Sequence, residues 1–180
     1  MQSVQAFELL RAYSPADGRE ASYRERMLEL LASDRPFARS QFVPGHFTAS
    51  AIVLSPQRDA ALLIFHGKLG LWLQPGGHVD PDDAGLLEAA RREVGEEVGI
   101  TELDAADGGI LDLDIHPIPP FKSDPAHEHF DVRFVFVARS RDFRESDEVG
   151  GARWVALREM ELVTRDASVL RAIGKVRGQT

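Results

Sequence analysis

The stretch from Gly76 to Ile100 constrains this chain more than any other. A Pro75-Gly76-Gly77 break leads into His78-Val79-Asp80-Pro81-Asp82-Asp83, and residues 84–98 then carry the clearest helical pattern in the sequence. Asp82 and Asp83 stand where carboxylates cap the free N–H groups of a helix. Gly99 stands where a left-handed residue ends one. At about 100° per residue, Leu87, Val94 and Val98 share an apolar stripe flanked by Ala90, with Glu93, Glu96 and Glu97 in an arc beside it. A helix with one apolar stripe has to lie on another apolar surface. Short runs rich in branched residues supply it on both sides: 46–54, 60–65 and 70–74 before, and 109–116, 129–138 and 152–155 after.

The flanks add helices. Residues 2–13 place Val4, Phe7 and Leu10 at helical spacing. Residues 19–32 place Tyr23, Met27, Leu30 and Leu31 towards a core and should stop before Asp34-Arg35-Pro36. At the other end, residues 167–176 align Val169, Leu170, Ile173 and Val176, with basic residues at the C-terminal turn that suit the helix dipole. No internal repeat interrupts this order. It predicts an α+β fold, a mixed β-sheet sandwiched between helices, with a two-helix extension over 1–45 and a main domain over 46–180 that includes the last helix. A chain of 180 residues suits one such globular unit.

Three glutamates three and four residues apart repel one another on a helix. A divalent cation such as Mg²⁺ or Mn²⁺ would relieve that repulsion, since both prefer carboxylate and water oxygens and often complete their shell with substrate phosphates. Gly95, inside the same helix, costs about 1 kcal/mol relative to alanine, so local stability was not the only demand there. Composition narrows the partners. The 29 acidic against 21 basic residues give a net charge of −8, which lacks the footprint of a nucleic-acid or anionic-membrane binder. The absence of cysteine excludes thiol nucleophiles, thiol redox chemistry and Cys-ligated zinc within this chain. No apolar run approaches a membrane span, the start shows no signal peptide, and the cytoplasm is the expected location.

Arg92-Glu93-Val94-Gly95-Glu96-Glu97-Val98-Gly99-Ile100 resembles the second half of the Nudix box without a mismatch, and Gly77 resembles the glycine that opens it. Leu73 to His78 before the box, with Asp114-Ile115-His116 and Ala126 to His129 after it, are similar to a bacterial Nudix group of about this length. The resemblance implies the Nudix fold over roughly 46–160. It also implies hydrolysis of a nucleoside diphosphate linked to another moiety, with Mg²⁺ or Mn²⁺ as cofactor. By position, Glu93, Glu96, Glu97 and the Gly77 carbonyl would hold the metal, Glu93 would be a candidate base, and Arg92 would orient the glutamates. The family is often dimeric. One box position departs: the glutamate expected seven residues before the Arg-Glu pair is Ala84, and the loop is one residue longer. Asp80, Asp82 or Asp83 would replace it from the lengthened loop; the favoured expectation is that its orienting role is lost or taken by Glu88, four residues before Arg92. The departure leaves open an alternative, a non-catalytic Nudix module that senses a nucleotide metabolite. A Nudix-type prenyl diphosphate isomerase would normally want a cysteine.

Other residues are candidates for substrate contact: His78, Lys68, Trp72, His127, His129 and Glu148. Glu148 and Glu128 are also alternative bases. His127-Glu128-His129 on a strand would turn both histidines to one face. With His116, His66 and His78 they invite a second-metal reading, but no four-ligand zinc spacing appears, and hydrogen bonding to substrate or structure is the expected role. Phe65 and Trp72 read first as strand aromatics. The Arg139–Glu148 stretch of mixed charge reads as an exposed loop.

Overall fold

A computed structural model describes residues 2–67, 69–147 and 149–179. Lys68 and Glu148, both candidates above, lie outside the described residues. Eight strands form one mixed sheet: β1 (Gly45–Leu54), β2 (Ala60–His66), β3 (Leu71–Leu73), β4 (Gly76–His78), β5 (Leu103–Ala105), β6 (Asp112–Ile118), β7 (His127–Ala138) and β8 (Ala152–Ala156). The spine of the sheet is the parallel pairing of β1 and β7, from Gly45 against Glu128 to Leu54 against Val137. Every other pairing is antiparallel. All ten residues of β1 are buried, as a central strand covered on both faces requires.

Helices α1 (Gln2–Ala12), α2 (Gly18–Leu31) and α3 (Leu86–Val98) share the larger core with one face of the sheet, around Leu10, Met27, Val94, Phe47, Phe130 and Phe134. The other face carries a second core, in which Ile52, Leu63 and Val155 meet Met160 of α4 (Met160–Val163) and Val169 and Ile173 of α5 (Ala167–Gln179). The sandwich expected from the element order is therefore present. The two N-terminal helices contribute Ala6, Leu10, Met27 and Leu30 to the same core as the sheet.

Several local expectations change. In α1 the buried face is Ala6 and Leu10, while Val4 and Phe7 are exposed. Asp17 caps α2, accepting a hydrogen bond from the Glu20 N–H. Residues 76–78, read as a break, form a short strand that pairs with Thr48, Ala49 and Ser50. Strand β5 and the short α4 carry too few residues for periodicity to reveal. The expected exposed loop after β7 is only partly so: Arg139 to Asp142 are largely exposed, but Phe143 and Val149 pack against the larger core, and the Arg144 and Ser146 N–H groups donate to the Val98 and Glu97 carbonyls at the end of α3.

The faces between α2, α5 and the sheet hold an ion network. Arg133, fully buried, donates to Asp131 at 2.9 Å and to the Ser168 hydroxyl. Arg171 grips both oxygens of Asp112 and reaches Asp114. Lys175 bridges Asp112 and Glu20. Buried charge persists only when paired and hydrogen-bonded, and these pairs tie α5 and α2 to β6 and β7. Burial opposes ionisation of Glu20. Hydrogen bonds from the Ala16 N–H, Lys175, Tyr13 and the Leu113 N–H outweigh it and pull its pKa from 4.5 down to about 2. A depressed carboxylate stabilises the fold above its unfolded pKa, and that stability is lost as pH falls through the folded value. Glu20→Gln should therefore cost about 3 kcal/mol at neutral pH and flatten the decline in stability between pH 4.5 and 2, as read by urea denaturation across that range.

Candidate functional site

Helix α3 starts at Leu86 with Gly85 as its N-cap, and no side chain caps it. The expectation that Asp82 or Asp83 would cap is corrected. Asp83 is turned instead towards Arg92. Arg92 Nε and Nη2 donate to its two oxygens, each at 3.0 Å, and the Asp80 N–H donates to the same carboxylate. This side-on pair is the geometry in which guanidinium and carboxylate bind best. The remaining Arg92 donors reach the His78 carbonyl at 2.8 Å, Glu93 Oε1 at 3.0 Å and Glu96 Oε2 at 2.8 Å. Asp83 thus fills the pairing place left by Ala84. Glu88, the favoured replacement in the sequence reading, is not bonded to Arg92, and its buried Oε2 has no hydrogen-bond partner among the described residues. The hydrogen bond to Asp83, ahead of those to Glu93, holds the Arg92 guanidinium in its charged form against burial.

The strand–turn before the loop is shaped for close approach. At Gly76 φ is +155°, and a Cβ would fall 2.3 Å from Ser50 Cβ and 2.8 Å from the Ala49 carbonyl oxygen. At Gly77 a Cβ would meet the Glu93 carboxyl carbon at 2.6 Å. Gly76 therefore lets β4 lie tight against β1, and Gly77 lets it press onto α3, the close approach that glycine permits. Glu97 Oε2 accepts the Gly76 N–H at 3.0 Å. Glu93, Glu96 and Glu97 lie on the α3 face beside β4, with Glu93 largely shielded and Glu96 exposed. Burial raises the pKa of Glu93 above the usual glutamate range, with Arg92 opposing the rise. Carboxylate oxygens beside a glycine backbone suit a hard divalent cation; among the described residues the three ligand atoms that already lie within 4.8 Å of one another are those of His46, His127 and His129.

The N-terminal extension supports this loop. The Gln2 side-chain amide donates to the Asp80 and Asp83 carbonyls, each at 2.8 Å. Gln5 lies against Gly85, where a Cβ would fall 1.2 Å from its Oε1. Sequence periodicity on α1 gave no sign of either contact.

The other candidates separate. His78, His127 and His129 come together with His46 and His116 at one end of the sheet, with neighbouring ring centroids 4.9–5.6 Å apart. His127 and His129 share one face of β7, as the alternation of a strand requires. Glu128, between them, is held by Arg26 at 2.5 Å, which removes the lone side chain wanted of a general base. Trp72 has Phe65 and the Arg153 guanidinium as its ring neighbours, at 5.4 and 4.2 Å, and so reads as a strand aromatic. His46 was not singled out from the sequence. Only the parallel pairing of β1 with β7 places it opposite His129, and no local pattern encodes that pairing.

The NUDIX domain family matches residues 44–173. The chain belongs to this family, and its class is that of the Nudix-type pyrophosphohydrolases, enzymes acting on acid anhydrides. Such enzymes generally use divalent metal ions. Solved structures agree on the fold. A Caenorhabditis elegans Ap4A hydrolase superposes with a TM-score of 0.56 at 19% identity, covering 74% of this chain and 96% of that one. The NUDIX domain of Shewanella oneidensis NrtR, complexed with ADP ribose, gives 0.57 at 18% identity, covering 89% and 97%. A MutT protein from Methanosarcina mazei gives 0.56 at 23%, covering 74% and 93%. No curated protein matches the sequence.

Gly95 bears on what this helix was selected for. A Cβ there would meet nothing nearer than Thr101 Cγ2 at 3.9 Å. Gly95→Ala should therefore stabilise the protein by about 0.5–1 kcal/mol, measured by chemical denaturation.

Proposed function

We propose that the protein is a divalent-metal-dependent hydrolase that cleaves a pyrophosphate bond by water attack on phosphorus. Its substrate is a small molecule linked to a nucleoside diphosphate, or a nucleoside triphosphate. The observation that carries this reading is the placing of the α3 carboxylates: Glu93 and Glu96 are held by Arg92, Glu93 lies against Gly77, and Glu97 accepts the Gly76 N–H. Glu93, Glu96 and Glu97, with the Gly77 carbonyl, would hold Mg²⁺ or Mn²⁺. When bound, the cation supplies charge neutralisation of phosphate oxygens and acidifies water. It would also let a chain of net charge −8 receive an anionic substrate.

The residues have separable tasks. Arg92 orients the set: it spends donors on Glu93 and Glu96, so each carboxylate turns its second oxygen elsewhere, and it ties the 79–83 loop to the helix through Asp83. The Gly76 N–H fixes one oxygen of Glu97. Glu93, raised in pKa by burial, is the carboxylate best placed to accept a proton from attacking water. His78, the last residue of β4, is suited to contact with the substrate. The alternative, a sensing module without hydrolysis, drew its support from Ala84. The Asp83–Arg92 pair weakens that support, because the position's partner is replaced from the loop.

The test is phosphate or nucleotide release from a panel of nucleotide sugars, dinucleotides and nucleoside triphosphates with Mg²⁺ or Mn²⁺. Release from one class is expected, and binding without release would favour the sensor. Glu93→Gln and Glu97→Gln should each lower turnover by roughly 10²-fold or more with unchanged thermal unfolding. Asp83→Asn should cost about 10-fold or more, as loss of a group that positions ligands does, and Glu88→Gln should cost little. Near-normal turnover in both Glu93 and Glu97 variants would remove α3 from the chemistry.

A further inference from the structure

Five of the six histidines converge where β1, β4, β6 and β7 meet. The register explains how. His46 of β1 pairs with His129 of β7, and His129 pairs with His116 of β6, so three imidazoles stand in a row across adjacent strands. His127 lies two residues before His129 on the same face, and β4 brings His78 beside His46. A row of imidazoles is an unusual filling for the end of a sheet. Apolar side chains would cover it at lower desolvation cost.

The hydrogen bonds give the cluster a polarity. His46 Nδ1 lies 3.0 Å from the Gln41 carbonyl, and His127 Nδ1 lies 2.8 Å from the Pro125 carbonyl. A carbonyl can only accept, so each Nδ1 carries the proton, and each Nε2 presents a lone pair. His46 is 1% exposed, and its Nε2 has no partner among the described residues. One ligand nitrogen from each of His46, His127 and His129 falls within 4.8 Å of the others. An acceptor atom sealed in the interior without a donor costs about 1–3 kcal/mol. Acceptor lone pairs this close are relieved by a donor or by an electrophile, and a single cation can satisfy all of them at once. An anion such as phosphate needs donors, and in the neutral rings the Nε2 atoms of His46 and His127 offer none.

We propose that His46, His127 and His129 form a binding site for a borderline divalent cation of the zinc class, separate from the α3 carboxylates. Three imidazole nitrogens with the fourth position open is the ligand set of zinc sites that keep a water or substrate position, and imidazole suits zinc, cobalt and nickel better than magnesium. The Nδ1–H contacts to carbonyls are the outer bonds that fix the tautomer of ligating histidines. Tetrahedral zinc wants its nitrogens about 3.3 Å apart, from Zn–N distances of about 2.0–2.1 Å, so the rings need move by only about an ångström. Burial keeps His46 and His129 neutral, with His129 at about 2. The site adjoins the α3 group through β4, where His78 follows Gly77, but it shares no ligand with it.

Chelator-stripped full-length protein carrying Glu93→Gln and Glu97→Gln, which disable the carboxylate site, is titrated with Co²⁺ by visible absorption and with Zn²⁺ by calorimetry. One equivalent of each is expected to bind, with cobalt bands of a four- or five-coordinate nitrogen site. Adding His127→Gln, at a partly exposed strand end where folding should survive, is expected to weaken binding by about 10²-fold or more, and His129→Gln should do the same. Folding of each variant is checked by circular dichroism. Unchanged stoichiometry and affinity in the His127 variant would overturn the site, as would failure of Zn²⁺ and Co²⁺ to bind. So would stabilisation by inorganic phosphate alone.

Discussion

The Arg92 guanidinium is the interaction on which the rest of the site depends. It is side-on to Asp83, bonded to the His78 carbonyl, and shared between Glu93 and Glu96. One positive group thus offsets the repulsion among carboxylates that the α3 sequence places within a turn of one another. It also fixes the loop between β4 and α3, which carries three aspartates and no regular structure of its own. It acts together with the β1–β4 pairing at Gly77 and the Gly76 N–H bond to Glu97, which also hold β4 beside α3. Gln2 of α1 works to the same end, donating to the loop carbonyls of Asp80 and Asp83, and Gln5 packs against Gly85. The N-terminal helices therefore bear on the site, although the NUDIX match begins only at residue 44.

Much of the architecture was legible because its signals are local. The α3 stripe, its glycine stop and the Arg92–Ile100 pattern lie in consecutive residues. Their periodicity predicted a helix whose buried face proves to be Leu86, Ala89, Ala90, Val94 and Val98. Strands β1, β2 and β7 were legible for the same reason: long, branched-rich runs between turns. What escaped depends on residues far apart in sequence. Asp83 outcompeted Glu88 for Arg92 because the longer loop folds back to present both carboxylate oxygens side-on, a geometry that helical spacing from Glu88 does not offer. On α1, Val4 and Phe7 share the helical pattern of Leu10, yet the polar Gln2 faces the protein, because loop carbonyls stand there to receive its amide, and Gln5 packs against Gly85.

The histidine cluster follows the same logic. His127 and His129 were readable as one strand face. The parallel β1–β7 register that brings His46 beside them was not, since parallel pairing leaves no mark in either strand alone. The buried ion network is likewise assembled by pairing. Asp112 stands across from Arg133, and Asp114 from Asp131, on neighbouring strands, with α5 closing over them. Long-range register thus decides both where charge can be buried and where the imidazoles meet.

The most direct test of the central claim is anomalous diffraction from crystals soaked in Mn²⁺. The account predicts a peak bounded by carboxylate oxygens of Glu93 and Glu97 and the Gly77 carbonyl, at coordination distances of roughly 2.0–2.5 Å, with the Arg92–Asp83 pair intact behind it. No density between α3 and β4 under saturating Mn²⁺, with those carboxylates turned away from Gly77, would contradict it.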